Sequence, residues 1–241
     1  MSKLDGKIAL IAGGSGNVGE CVVRAFLKHG ATVIVPSRTS ESLEKLRELL
    51  GEFASDRFVP VVGQIGQIEG AEAIRDMILT KFGRIDAVIA SLGGSWDQHL
   101  PLTQVSMETW HQYLESNLTS HFVAAKTFLP VLEKQQSGCY ISLGGGAAET
   151  PVPYYSPVAI PAAAQLMLTK VLIEEMKGSG VRINEVVVHS WVSTRTSKQN
   201  AKPEWITADE IGEFTAYLAS DEASMVNGSI LRLYERPPAL L

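Results

Sequence analysis

The chain has 241 residues, 45% of them apolar, and its 21 basic and 26 acidic side chains give a formal net charge of −5. That length suits one large α/β sheet with a sizeable core. The mildly acidic balance, without a basic tract, argues against nucleic acid or an anionic membrane as the main partner.

Strand-like and helix-like patterns alternate from end to end. Near-continuous Val/Ile/Leu/Ala runs predict strands at 7–12, 32–36, 58–63, 85–91, 138–143, 182–188 and 229–234. Such runs suit a parallel sheet covered on both faces. Helices are predicted at 17–29, 40–53, 69–82, 107–135, 157–177 and 207–219. Leu43, Leu46, Leu49 and Leu50 recur at helical spacing among Glu and Arg, which leaves that helix one wet face. The order is that of a doubly wound, Rossmann-type sheet. No composition break divides the chain, so 1–241 is read as a single domain. Pro157 after Ser156 suits a helix start, whereas Pro161 does not fit the interior that would follow. The regular helix is therefore expected to begin one turn late, near Pro161. The stretch 194–205 lacks periodicity and reads as a loop, either a lid or a passive surface segment. No run approaches about 20 consecutive apolar residues, and the N-terminus has no leader pattern, so no membrane association is expected. Cys21 and Cys139 fall in helix- and strand-like segments, as in a reduced cytoplasmic protein. His29, His99, His111, His121 and His189 are scattered, and no metal site is expected.

The first strand runs into Gly13-Gly14-Ser15-Gly16-Asn17-Val18-Gly19, and a helix follows. Glycines there permit a tight turn and a close backbone approach to a pyrophosphate, which then meets the free N–H groups of the helix. The competing reading is a purely structural turn.

In order and spacing the chain resembles the short-chain dehydrogenases/reductases over nearly its whole length. Gly13, Gly16 and Gly19 match a G-x-x-G-x-x-G pattern of that family. Thr109-Trp110, Asn117-Leu118-Thr119, Leu129-Pro130, Ser137-Gly138, Leu168-Thr169-Lys170, Gly180 to Asn184, Leu218 to Asp221 and Asn227-Gly228 fall where the family has equivalents. The resemblance implies a seven-stranded parallel sheet in the order 3-2-1-4-5-6-7. It also implies self-association as a homodimer or homotetramer, a small-molecule ligand, and a nicotinamide dinucleotide.

Arg38 after Ser37 at the end of the second strand implies NADP(H), since a guanidinium can hold a 2′-phosphate; a solvated surface charge is the plainer alternative. The other implied cofactor contacts are Ser15, Asn17 and Val18 in the turn, Gln64 and Ile65 after the third strand, and Ala90, Ser91 and Gly93 after the fourth. The Pro-Gly pair expected after the sixth strand is replaced by Val188-His189 or His189-Ser190.

The family's chemistry uses Asn, Ser, Tyr and Lys, with Tyr exchanging a proton and Lys tuning it. Asn117 matches the Asn, but the Ser, Tyr and Lys positions fall on Gly145, Val158 and Ala162. No Tyr-x-x-x-Lys occurs anywhere in the sequence. Substitute acids would have to come from Tyr154, Tyr155, His189 or Glu149, on loops where Trp96 and Trp191 also lie; each has an ordinary loop role as its alternative. Three readings stay open: an NADP(H)-binding pseudoenzyme, an enzyme (oxidoreductase or non-redox) with a displaced acid, and a structural protein that has lost the nucleotide.

Overall fold

The computed structural model describes residues 2–94 and 99–237. Trp96 and the last four residues of the apolar tail, 238–241, lie outside the described residues. The strands are β1 (Ile8–Ala12), β2 (Thr32–Ser37), β3 (Phe58–Val62), β4 (Ala87–Ala90), β5 (Cys139–Gly145), β6 (Arg182–His189), β7 (Val192–Ser193), β8 (Ile206–Thr207) and β9 (Ser229–Tyr234). Seven of them form one parallel sheet in the order β3-β2-β1-β4-β5-β6-β9, as the resemblance implies. The helices are α1 (Gly19–Lys28), α2 (Ser40–Leu50), α3 (Ile68–Phe82), α4 (Met107–Leu114), α5 (Ser120–Gln135), α6 (Ser156–Glu175) and α7 (Ala208–Ala219).

The unbroken apolar strands follow from burial on both faces. Along β1, Ala9 and Ile11 join the core that includes Val22, Phe26, Leu43, Leu46 and Leu218, beneath α1, α2 and α7. Ile8, Leu10 and Ala12 point the other way, into the core built with Ile74, Ile78, Val123, Phe128 and Leu132 of α3 and α5. Successive side chains on a strand alternate faces, so a strand covered on both sides must be apolar at every position.

Three local features differ from the expectations. The helix predicted over 107–135 is broken by a π-helical turn, Glu115–Thr119, between α4 and α5. That turn carries Asn117, whose amide group donates to the Tyr113 carbonyl at 3.0 Å. The aperiodic stretch 194–205 is bracketed by a parallel pair of two-residue strands, Val192 to Ile206 and Ser193 to Thr207, too short to leave any periodicity in the sequence.

The third difference is a correction. Helix α6 starts at Ser156, one turn before Pro161, and Pro161 sits in its interior. The Tyr155 carbonyl accepts from both Val158 N (3.0 Å) and Ala159 N (2.8 Å), so the first turn closes without Pro161. Both proline rings are buried. A proline inside a helix costs about 3 kcal/mol through the lost backbone bond and ring crowding together, and burial of both rings opposes that cost. Val158 therefore lies on the first turn of a regular helix. By length and composition α6 would also suffice to cross a membrane, which its sequence was not expected to do. Here it packs on β5 and β6 with Gln165 and Thr169 among its buried residues.

Two glycines allow a direct test of backbone proximity. A Cβ at position 19 would fall 2.1 Å from the Gly13 carbonyl oxygen, whereas one at position 145 would meet nothing within 4 Å. Gly19→Ala should lower stability by about 2 kcal/mol or more, and Gly145→Ala by less than about 0.5 kcal/mol, in urea unfolding. Equal midpoints for the two variants would contradict this packing.

Candidate functional site

The carboxyl ends of β1, β2 and β4 are drawn together around the glycine-rich turn. Gly13 has φ +82°, and a Cβ there would lie 2.0 Å from the Ser91 carbonyl oxygen. The turn closes through Gly16 N to the Gly13 carbonyl (3.0 Å) and Glu20 N to the Gly16 carbonyl (2.8 Å). Among the described residues, the amides of Ser15, Asn17 and Val18 donate to no backbone carbonyl. They remain available at the start of α1, where the helix dipole favours an anion. The Ser15 hydroxyl donates to the Ser37 hydroxyl at 3.3 Å and ties the turn to the end of β2. Arg38, the next residue, is exposed and forms no ion pair within the described chain.

The rest of the predicted cofactor set is distributed along the same edge. Gln64 is exposed and Ile65 buried just beyond β3. Ala90 ends β4, and Ser91 N bonds the Ala12 carbonyl at 2.9 Å. Gly93 has φ +128°, and a Cβ there would come within 2.6 Å of Asn117 Oδ1. That same oxygen accepts from Gly94 N at 3.0 Å, so Asn117 holds the loop after β4. These groups could cradle a phosphate and leave a basic side chain beside it.

The other end of the edge is differently equipped. Gly145 ends β5, and Val158 and Ala162 stand four residues apart on α6; none carries a group that can exchange a proton. Tyr155 packs edge-on against His99, with ring centroids 4.9 Å apart. Tyr154, at φ +67°, helps line a largely apolar cavity of about 420 Å³ with Leu102, Glu149, Val152, Ser156 and Ile160. His189 Nε2 lies 2.7 Å from Glu149 Oε2, and its ring stacks on Tyr234. Arg232 grips the same carboxylate at 2.6 and 2.8 Å. Hydrogen bonds from Arg232 first, then His189, hold the Glu149 carboxyl at about 2, so it stays ionised and is no general acid near neutrality. Nε2 of His189 must therefore carry the proton it donates. Nδ1 turns toward Gly146, where a Cβ would be 2.8 Å away.

A further acid escaped the sequence reading. Glu185, in the middle of β6, is fully buried, and neither carboxyl oxygen has a hydrogen-bond partner. Thr169 and Gln165 stand near enough to favour its charged form slightly, but burial dominates and pushes its pKa from 4.5 up to about 7. Glycine at 144 makes the room, since a Cβ there would be 2.7 Å from Glu185 Oε1. Beside it a polar chain runs through the core. Gln165 donates to the Ser142 hydroxyl, Ser142 lies 3.3 Å from His121 Nδ1, and His121 Nε2 lies 3.1 Å from the Leu92 carbonyl. Burial lowers the His121 pKa to about 4, so the ring is neutral, donating from Nε2 and accepting at Nδ1. The sequence signal was the Glu directly before the Val186-Val187-Val188 run of β6.

The raised Glu185 pKa has a definite sign in stability. The folded chain holds this proton more tightly than the unfolded chain. The cost of burial is absent below about pH 4.5, grows as pH rises, and is complete above about 7. His121 runs oppositely at acid pH, so the informative quantity is the difference between variant and parent. Glu185→Gln should match the parent near pH 4.5 and exceed it by on the order of 3 kcal/mol at pH 8. A difference independent of pH would show that Glu185 does not titrate in this range.

A family model described as enoyl-(acyl carrier protein) reductase matches residues 13–233. The chain is similar to the uncharacterized oxidoreductase YvrD of Bacillus subtilis (strain 168), at 24% identity over 96% of both chains. It is similar to the mitochondrial borneol dehydrogenase of Lavandula x intermedia, at 27% identity over 95% of this chain and 89% of that one. Among solved structures, ElxO with NADP bound superposes with a TM-score of 0.85 at 21% identity, covering 94% of this chain and 96% of ElxO; at that identity the likeness concerns the fold. A family match over residues 13–233, from the glycine-rich turn to β9, places this chain within the short-chain dehydrogenase/reductase family.

Proposed function

We propose that this chain binds NADP(H) at the glycine-rich turn and is a pseudoenzyme toward ordinary ketones and aldehydes. The observation that carries the reading is the contrast between the two ends of one edge. The turn keeps its close-packed glycines and free amides, while Gly145, Val158 and Ala162 put hydrogen and hydrocarbon where the family places a hydroxyl, a phenol and an ammonium.

Gly13, Ser15, Gly16, Asn17, Val18 and Gly19 would hold the pyrophosphate. Ser37 and Arg38 would take the adenosine ribose and its 2′-phosphate. Gln64 and Ile65 would border the adenine, and Ala90, Ser91 and Gly93 would give the dinucleotide room along β4. A bound nicotinamide supplies or accepts hydride. This chain offers no proton partner at the family's positions to complete such a transfer; Asn117 is committed to the loop after β4.

The second reading, an enzyme with a displaced acid, rests on the cavity that Tyr154 lines, which is large enough for a small-molecule ligand. In that reading Tyr154, Tyr155 or His189 would serve, Glu149 being ionised. Self-association is part of the proposal and is supported by the apolar side chains Phe122, Ile160, Met167 and Val171, exposed on α5 and α6. A cytoplasmic setting is supported by the free, buried Cys21 and Cys139.

Titration by fluorescence should show NADPH binding more tightly than NADH. Arg38→Ala should weaken NADPH about ten- to a hundredfold, corresponding to roughly 1.5–3 kcal/mol for a charge-assisted contact, and leave NADH nearly unchanged. Equal affinity of the parent for both dinucleotides would remove the case for Arg38.

Against a panel of ketones and aldehydes with NADPH at neutral pH, turnover should be near background. General acid–base assistance alone is worth about 10²–10⁴-fold. Because α6 is regular from Ser156, Val158→Tyr and Ala162→Lys fall on one helix face, and together with Gly145→Ser they should raise turnover. Brisk turnover by the parent would establish the displaced-acid reading, and replacing Tyr154, Tyr155 and His189 singly would locate the acid.

A further inference from the structure

The first turn of α1 contains a carboxylate where an anion is expected to bind. Glu20 directly follows Gly19 and is buried, its side chain only 3% exposed. A buried negative charge one residue beyond the cradle opposes a pyrophosphate unless something neutralises it. The neutralising group comes from across the sheet. Arg195, in the loop between β7 and β8, reaches Glu20 with Nε at 3.2 Å from Oε1 and 3.4 Å from Oε2, and Nη2 at 3.4 Å from Oε2. The Arg195 side chain is 38% exposed, so the cation paired with Glu20 stays open to solvent at the first turn of α1, and the Asn17 and Val18 amides just before that turn donate to no backbone carbonyl among the described residues.

The construction of the loop isolates this contact. Its start is tied locally, with Thr194 N to Ser197 Oγ at 2.9 Å and the Ser197 hydroxyl to the Val192 carbonyl at 3.0 Å. Its far end is stapled by Arg236, which bonds the Pro203 and Trp205 carbonyls and pairs with Glu210, and by the stacking of Trp205 on Trp191. The segment bearing Arg195 is thus fastened on both sides and linked to the nucleotide turn by one shared ion pair.

We propose that Arg195 is a phosphate-binding residue for the dinucleotide, divided between Glu20 and the pyrophosphate, so that dinucleotide binding and the position of the 194–205 loop are coupled through a single charge. The proposal rests on the dinucleotide reading above. It differs from the role of Arg38 in being blind to the 2′-phosphate, because both NADPH and NADH carry the pyrophosphate.

The test is equilibrium binding of NADPH and NADH to the full chain, followed by fluorescence, with a melting curve of each variant without ligand. Arg195→Ala should weaken both dinucleotides by the same factor, about tenfold or more, whereas Arg38→Ala affects NADPH alone. Glu20→Gln, close in shape and neutral, should tighten both severalfold by releasing Arg195. The double variant should recover much of the loss seen in Arg195→Ala, since the repelling carboxylate is gone as well. If Arg195→Ala is too unstable to measure because it strands the Glu20 charge, the double variant compared with Glu20→Gln alone decides, weaker binding of both dinucleotides by the double variant supporting the proposal and equal binding overturning it. Unchanged affinity in Arg195→Ala with a lowered melting point would make the pair purely structural and overturn the proposal while leaving the dinucleotide reading intact. Failure of the parent to bind either dinucleotide would overturn both.

Discussion

The carbonyl oxygen of Ser91 lies where a side chain at position 13 would begin, and much of the site depends on that contact between two strand ends. With glycine at 13, β1 and β4 stay in register to their last residues, Ala12 against Ala90. The chain then turns back through a left-handed residue, and Gly19 returns to lie against the Gly13 carbonyl. The same geometry that packs α1 on β1 leaves the first amides of the helix without intrahelical partners. Tight packing and anion affinity thus share a single cause.

The other end of the edge is held by polar contacts of its own. Asn117 sits in a π-helical turn, where the ladder is locally reset and its side chain can serve both the Tyr113 carbonyl and the Gly94 amide. His189 is drawn to Glu149 and Tyr234. Below Gly144, a protonatable carboxyl occupies the space between β6 and α6. These substitutions are mutually consistent. Glycine at 144 admits Glu185, and glycine at 146 admits the His189 ring.

How much of this was legible follows the range of each interaction. The sheet could be read because strands buried on both faces leave continuous apolar runs, and the glycine-rich turn because its residues span only 13–19. Arg38 follows β2 directly. The contacts that define the other end join residues far apart in sequence. Glu149 meets His189 and Arg232, Arg195 meets Glu20, and Gln165 meets Ser142. No local pattern announces such pairs. The start of α6 was misjudged for a different reason. The cost of Pro161 is a property of the isolated helix, and the packing of both proline rings lies outside any one-dimensional reading. Glu185 was visible as a charge beside the Val186-Val187-Val188 run, but only the structure shows that it is buried without an ion pair among the described residues.

The three carboxylates near this edge are neutralised in three different ways. Glu149 is neutralised by Arg232 and stays ionised. Glu185 makes no ion pair among the described residues, and burial favours its protonated form, raising its pKa from 4.5 to about 7. Glu20 is buried at the start of α1 and depends on Arg195, a residue 175 positions away. Of the three, only Glu20 lies beside the free amides of the turn, so its charge is the one a pyrophosphate would feel most directly. Net charge therefore says little about ligand preference here. The local sign at the mouth of α1 is set by where one guanidinium stands, and the 194–205 loop determines that position.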